Sequence, residues 1–227
     1  MPVVNKKSRE YKSNLVLNDN LRSIIVGLLL GDGNMQTFSK EGKTWRLRIL
    51  QGGENHFEYV NHLRNLLDDW TNMEIKEYKE KNLRYEDIRI YKKWYFNTLS
   101  FYQFSYIGNA FYPIECINSE KIRRKKVIPV EIKNWLTDVS LAYWYMDDGS
   151  CKWKDKVLSL RFCTDCYSES EIDFLVNIMK EKFDLEFKKT RHSQNKWRLY
   201  LGVKDYFKIK ELIYPHIIPS MLYKFPI

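Results

Sequence analysis

The residues in this chain best suited to chemistry are two acids, Asp32 and Asp148. Each closes an apolar run and stands directly before a glycine, in Ile25-Val-Gly-Leu-Leu-Leu-Gly-Asp-Gly33 and Leu141-Ala-Tyr-Trp-Tyr-Met-Asp-Asp-Gly149. Both runs are expected to be buried helices stopped at the Asp-Gly, glycine being a common residue just past a helix end. A carboxylate there meets the negative end of the helix dipole. If the two helices pack side by side, the two carboxylates also approach each other, which is costly unless a cation sits between them. Hard divalent cations take carboxylate and carbonyl oxygen, and Mg²⁺ keeps room for water and substrate phosphate. The expected metal set is therefore the side chains of Asp32 and Asp148 with the carbonyls of Gly31 and Asp147, and the expected cofactor is Mg²⁺, with two or more ions. A single Asp-Gly is an ordinary turn signal; its duplication at matched points is what suggests a site.

The helices must be able to approach. Gly27 and Gly31 fall on one face of the first run, where each weakens the helix by about 1 kcal/mol relative to alanine. Close passage of a second helix is the natural reason. The matching positions of the second run hold Tyr143 and Asp147, so a small face is expected to receive a bulky one.

The elements around each Asp-Gly recur. After the first come an alternating stretch over 45–51, an amphipathic helix over 55–70, strands over 74–79 and 84–91 with a turn at Lys81-Asn82, and a helix over 93–104. After the second come a strand over 156–163, a helix to 183 opened by the capping box Ser168-x-x-Glu171, strands over 185–190 and 196–202, and a helix over 204–214. The fold class is α+β, two pseudo-symmetric αββαββα repeats with the paired apolar helices at their interface. One early strand in each repeat is not placed by pattern alone. The division is residues 1–111, a basic linker over 112–132, and 133–227.

Composition limits the partners. The formal net charge of +9 suits a polyanion, and the linker run Lys121-Ile-Arg-Arg-Lys-Lys126 is expected to touch phosphate. The longest apolar run, 24–30, is far too short to cross a bilayer, so no membrane association is expected. The polar start lacks a secretory signal, and an intracellular location is expected. Cys163-x-x-Cys166 lacks the further ligands that zinc needs.

The two motifs resemble those of LAGLIDADG homing endonucleases. Lys126-Val-Ile-Pro129 and the closing Ile218-Pro-Ser-Met-Leu-Tyr-Lys-Phe-Pro226 are similar to the monomeric, two-motif type found in the mitochondrial omega intron. The resemblance implies saddle-shaped antiparallel sheets lying on DNA, Mg²⁺-dependent hydrolysis of both strands and a long asymmetric target. It places Asp32 and Asp148 as metal-binding acids and Lys126 and Lys224 as basic residues flanking the cleavage centre, which need not act as bases. It also places Gln51 as a residue that orders water, with Asp165 as its counterpart in the second repeat. An Asp where Gln is common implies two unequal centres. An organellar gene is the implied setting.

Strand alternation then nominates the residues that face DNA: Arg46, Arg48, Arg89, Tyr91, Ser159, Arg161, Arg198 and Tyr200. The expected activity is site-specific double-strand cleavage by a monomer that needs no protein partner. Carboxylates held together match scissile phosphates only across the minor groove, so short 3′ overhangs are expected. An RNA-splicing maturase, with RNA as partner, and a non-catalytic DNA-binding protein are the alternatives on the same fold.

Overall fold

The computed structural model of the protein describes residues 6–53, 56–82, 89–118, 121–151 and 158–225. A short helix, α1 (Lys6–Asn14), precedes the first long apolar helix, α2 (Asp19–Leu30). Asn18 caps α2 by accepting the Leu21 amide at 2.8 Å, which satisfies one of the unpaired amides at a helix start. The chain then forms β1 (Asn34–Gln36), β2 (Arg46–Gly52), α3 (Phe57–Leu66), β3 (Lys76–Asn82), β4 (Arg89–Asn97) and α4 (Ser105–Phe111). The second apolar helix, α6 (Asp138–Asp148), is followed by β7 (Gly149–Cys151), β8 (Leu160–Cys163), α7 (Glu169–Phe183), β9 (Phe187–Ser193), β10 (Lys196–Leu201) and α8 (Val203–Ile213).

The two halves share one topology. Each has a four-stranded sheet, in order β1-β2-β4-β3 and β7-β8-β10-β9, and the described strand pairs are antiparallel. The early strands that pattern did not place are β1 and β7. Three residues each, they are too short to show alternation. The linker holds a β-ribbon, β5 (Ile114–Asn118) with β6 (Lys121–Arg124), and the short helix α5 (Ile132–Trp135).

Two expectations are corrected. Residues 93–97 finish β4, and the helix expected over 93–104 begins only at Ser105. Trp94, Tyr95 and Phe96 are bulky and aromatic, a composition that favours strand over helix. Lys81-Asn82 lies within β3, opposite Ile90 and Arg89; the hairpin turn and residues 84–88 of the expected strand lie outside the described residues, as do 156 and 157 of the expected second-half strand. The capping box is as expected: Ser168 and Glu171 cap each other's amides at the start of α7.

The core forms where both sheets and both apolar helices turn inward. In β2, Leu47 and Ile49 are buried while Arg46, Arg48 and Leu50 alternate outward. Residues 24–30 of α2 and 140–147 of α6 are buried, although their sequences contain glycine, serine, tyrosine and aspartate. Helices this uniformly buried must lie between other layers.

Candidate active site at the paired helices

α2 and α6 pack against each other so closely that side chains are excluded. A Cβ on Gly27 would lie 2.4 Å from the Ser140 carbonyl oxygen and 2.9 Å from Tyr143 Cβ, and one on Gly31 would lie 2.6 Å from Asp147 Cβ. The small face of the first helix therefore meets the two residues the sequence nominated. Glycine at 33 and 149 is not a left-handed cap, because neither is among the positive-φ residues. Gly31 takes the C-cap of α2, and α6 runs on through Asp148 to Gly149 at φ −75°.

This packing brings the acids together. Asp147 is buried, and its carboxylate is tied to the first half. It accepts from Tyr59 Oη at 2.8 Å, Gln51 Nε2 at 3.1 Å and the Asp32 amide at 3.2 Å. Asp148 is half-buried, and burial, followed by the charge of Asp32, pushes its carboxyl up to about 7. A carboxylate whose ionisation is hindered by burial and by a neighbouring carboxylate in this way fits a hard divalent cation. Asp32 and Asp148 would hold it. Among the described residues there is no group of three or more His, Cys, Asp or Glu side chains arranged for a metal. Two carboxylates as donors suit an ion such as Mg²⁺, which completes its shell with water and phosphate oxygen.

The two carbonyls expected beside these acids each meet a lysine. Lys126 Nζ donates to Gly31 O at 2.8 Å and Gly33 O at 3.0 Å. Lys224 Nζ donates to Met146 O, and to Asp147 O at 3.0 Å. The Lys224 ammonium thus occupies the last carbonyls of α6, and that of Lys126 the carbonyls of Gly31 and Gly33 just past the end of α2, where orphan acceptors and the dipole favour a cation. Burial pulls both lysines below the usual lysine range, and the acids oppose it. The Gly31 and Asp147 carbonyls expected as metal ligands thus each accept one lysine hydrogen bond, which leaves a second lone pair on each oxygen.

The remaining nominated residues divide. Gln51 is buried on Asp147. Asp165 is locked to Arg198 by two bonds of 2.9 and 2.7 Å, which hold its carboxyl below the usual range. Strand register also separates Asp165 from Gln51. Arg48 pairs with Asn34 and Arg161 with Ser150, each the residue after its Asp-Gly. Three residues on from Arg48 is Gln51, and three on from Arg161 is Thr164, buried with Oγ1 donating to Trp197 O at 2.6 Å.

On the sheets, Arg48 lines a concavity of about 560 Å³ with Asp32, Asn34, Gln36 and Lys93. Arg46 lies half-buried, bonded to Gln36 Oε1 at 2.8 and 3.1 Å. Arg161 is half-buried, 3.3 Å from Ser150 Oγ, Tyr200 is half-buried, and Tyr91 is exposed. Arg89 opens β4, and its side chain lies outside the described residues. Ser159 is corrected: it is fully buried just before β8, so alternation extended back from Arg161 does not put it outside. Arg124 of the basic linker is also not free for phosphate. It donates to Tyr112 O at 2.7 Å and Lys40 O at 3.0 Å, and it stacks on Trp45.

Residues 22–209 match the model of the LAGLIDADG DNA endonuclease family. The chain belongs to that family. It is 27% identical to the DNA endonuclease I-ChuI of Chlamydomonas applanata, over 92% of this chain and 95% of that protein. It is 31% identical to the cytochrome b mRNA maturase bI2 of Saccharomyces cerevisiae over 92% of its length, and it spans about half (48%) of that maturase. The homing endonuclease I-WcaI, solved bound to its DNA recognition sequence, superposes with a TM-score of 0.80 at 27% identity, covering 99% of this chain and 94% of that one.

Three side chains at this LAGLIDADG centre were not nominated by motif. Tyr59 holds Asp147, Tyr167 Oη donates to Leu29 O and Leu30 O at 3.1 and 3.2 Å, and His56 lies close enough for Asp32 and Lys224 to act on its imidazole. The tyrosines fall on buried helix and loop positions, where sequence reads an aromatic as core. No pattern in the chain distinguishes them.

Proposed function

We propose that this chain is a site-specific double-strand DNA endonuclease that acts with a divalent cation, Mg²⁺ first, and leaves short 3′ overhangs. The observation that supports this most is the close passage of α2 and α6, glycine against Asp147, with Asp32 and Asp148 at one end. When bound, the cation supplies Lewis acidity and an activated water. The protein's own part is to hold and to position. Asp32 and Asp148 are the ligands. Lys126 and Lys224, fixed on helix-end carbonyls, add positive charge where phosphate charge develops. Gln51 and Tyr59 keep Asp147 on the Asp32 amide and so keep the helix ends aligned. Arg46, Arg48, Tyr91, Arg161 and Tyr200 are proposed as the DNA-facing residues of the two sheets, with Arg198 held in place by Asp165.

Residues 1–111 and 133–227, joined through 112–132, would each address half of a long asymmetric duplex, so a monomer suffices. An organellar, intron-borne gene fits the relatives. Selection of cleaved sites from a randomised duplex library with Mg²⁺, followed by sequencing of both strands at the ends, tests the proposal. Recovery of one asymmetric site with 3′-extended ends is the expected result. Blunt or 5′-extended ends, or no cutting, would overturn it. The identity to the bI2 maturase favours a second reading, RNA splicing; tight intron RNA binding that survives EDTA would support it.

A further inference from the structure

The two lysines at the helix ends ride on straps that cross between the halves. Lys126 follows the first half, and two residues later the Ile128 amide donates to Glu171 Oε1 at 2.7 Å, on the first turn of α7 in the second half. Lys224 ends a 3-10 turn, Pro219–Lys224, that follows α8. Its neighbour Tyr223 donates its hydroxyl to His56 Nε2 at 3.0 Å, and His56 is the N-cap residue of α3 in the first half. Each strap is therefore pinned to the start of the helix that follows the second strand of the opposite half.

The chemistry of the two pins differs. Glu171 is also locked by its capping box, Oε2 accepting the Ser168 amide at 2.7 Å. His56 depends on one proton position. Its Nδ1 lies 2.5 Å from the Gly52 carbonyl, which only accepts, so Nδ1 carries the hydrogen and Nε2 is left to accept from Tyr223. Burial first, then the charge of Lys224, lowers the imidazole's basicity, with the Gly52 bond and Asp32 opposing; the neutral form that Nε2 needs is thus favoured. Within its own half the strap is held by Tyr145 Oη, which donates to Lys224 O at 2.5 Å, and by Phe225 against the Tyr145 ring at 4.9 Å.

We propose that His56 and Tyr223 form a latch that ties the C-terminal strap to the first half, making His56 a positioning residue for Lys224 on the Asp148 side of the site. The proposal rests on the endonuclease reading above. The latch acts on one lysine only, so its loss falls on one strand.

Tyr223→Phe removes a single hydroxyl from a side chain that is 47% exposed, so folding is preserved. His56→Ala removes the acceptor, and His56→Gln restores one at similar reach. Two readouts are taken: amide hydrogen exchange of the free protein, and strand-resolved nicking of the selected duplex. In Tyr223→Phe and His56→Ala, exchange over 219–225 rises about fivefold while 126–132 is unchanged, as loss of one net hydrogen bond implies. One strand is cut about fivefold more slowly, the other keeps its rate, DNA affinity holds, and His56→Gln recovers most of the loss. Unchanged exchange in both variants, or equal slowing of the two strands, overturns the latch. If the wild-type protein cuts no duplex, the endonuclease reading fails, and the exchange measurement alone decides the latch.

Discussion

Asp148 shows what one carboxylate costs at this position. Its folded-state affinity for a proton lies above that of the unfolded chain, raised from the usual 3.8 to about 7 by burial and Asp32. The penalty is absent below about pH 4, grows as pH rises, and is complete above about 7. At the full rise it amounts to about 4 kcal/mol as an upper bound. In metal-free protein at pH 8, Asp148→Asn is therefore expected to melt at a higher temperature than the wild type, with the gap shrinking at pH 5. Added Mg²⁺ should raise the melting temperature of the wild type and not of the variant. The same substitution, or Asp32→Asn, should abolish plasmid linearisation while DNA affinity, spread over many phosphate and base contacts, stays near wild type. A variant that linearised the plasmid at wild-type rate would remove that acid from the site. On the sheets, Arg48 lines the concavity beside Asp32. Arg48→Ala is expected to relax base preference at one position by about 1–3 kcal/mol, read by binding to single-substitution targets.

At the scale of elements, the helix pair sets the site's tolerance. The Ser140 carbonyl that a Gly27 Cβ would strike is backbone, so it has no rotamer by which to yield. Gly27→Ala is expected to destabilise the protein by about 2–3 kcal/mol, although alanine favours helices, because overpacking outweighs propensity. Denaturant melts at fixed metal concentration check this, and a neutral or stabilising result would mean that the helices can slide apart. The element order was largely legible in the chain. Repetition of apolar run, alternating strand and amphipathic helix marked both halves, and Ser168 and Glu171 marked the start of α7. The error over 93–104 has a local cause. Trp94, Tyr95 and Phe96 interrupt the alternation of β4, and the boundary with α4 is set by tertiary pairing of β4 with β2 and β3.

For the whole molecule, charge and duplication predict behaviour on DNA. With a net charge of +9, log affinity should fall linearly with log salt, at a slope near the number of phosphates neutralised. Titrations from 50 to 300 mM salt test this, and a flat response would argue against a phosphate-tracking surface. Arg124 should contribute little to that slope, since its guanidinium is spent on Tyr112 and Lys40 carbonyls. Light scattering should find one chain per duplex, because both apolar helices and both sheets come from a single polypeptide.

The sequence by itself determined the periodic and the repeated: two apolar helices, two sheets of alternating strands, the matched Asp-Gly pairs, and the small face at Gly27 and Gly31. These are local or internal patterns, carried by spacing along the chain. Only the tertiary structure decided who holds whom. It put Lys126 and Lys224 on the helix-end carbonyls that spacing had assigned to a cation, locked Asp165 to Arg198, buried Ser159, and tied Asp147 to Gln51, Tyr59 and the Asp32 amide. Those partners lie roughly 30 to 100 residues apart for the most part, and no periodicity links them. A polar atom removed from water must find an acceptor or donor wherever the fold places one, and that choice is made in three dimensions.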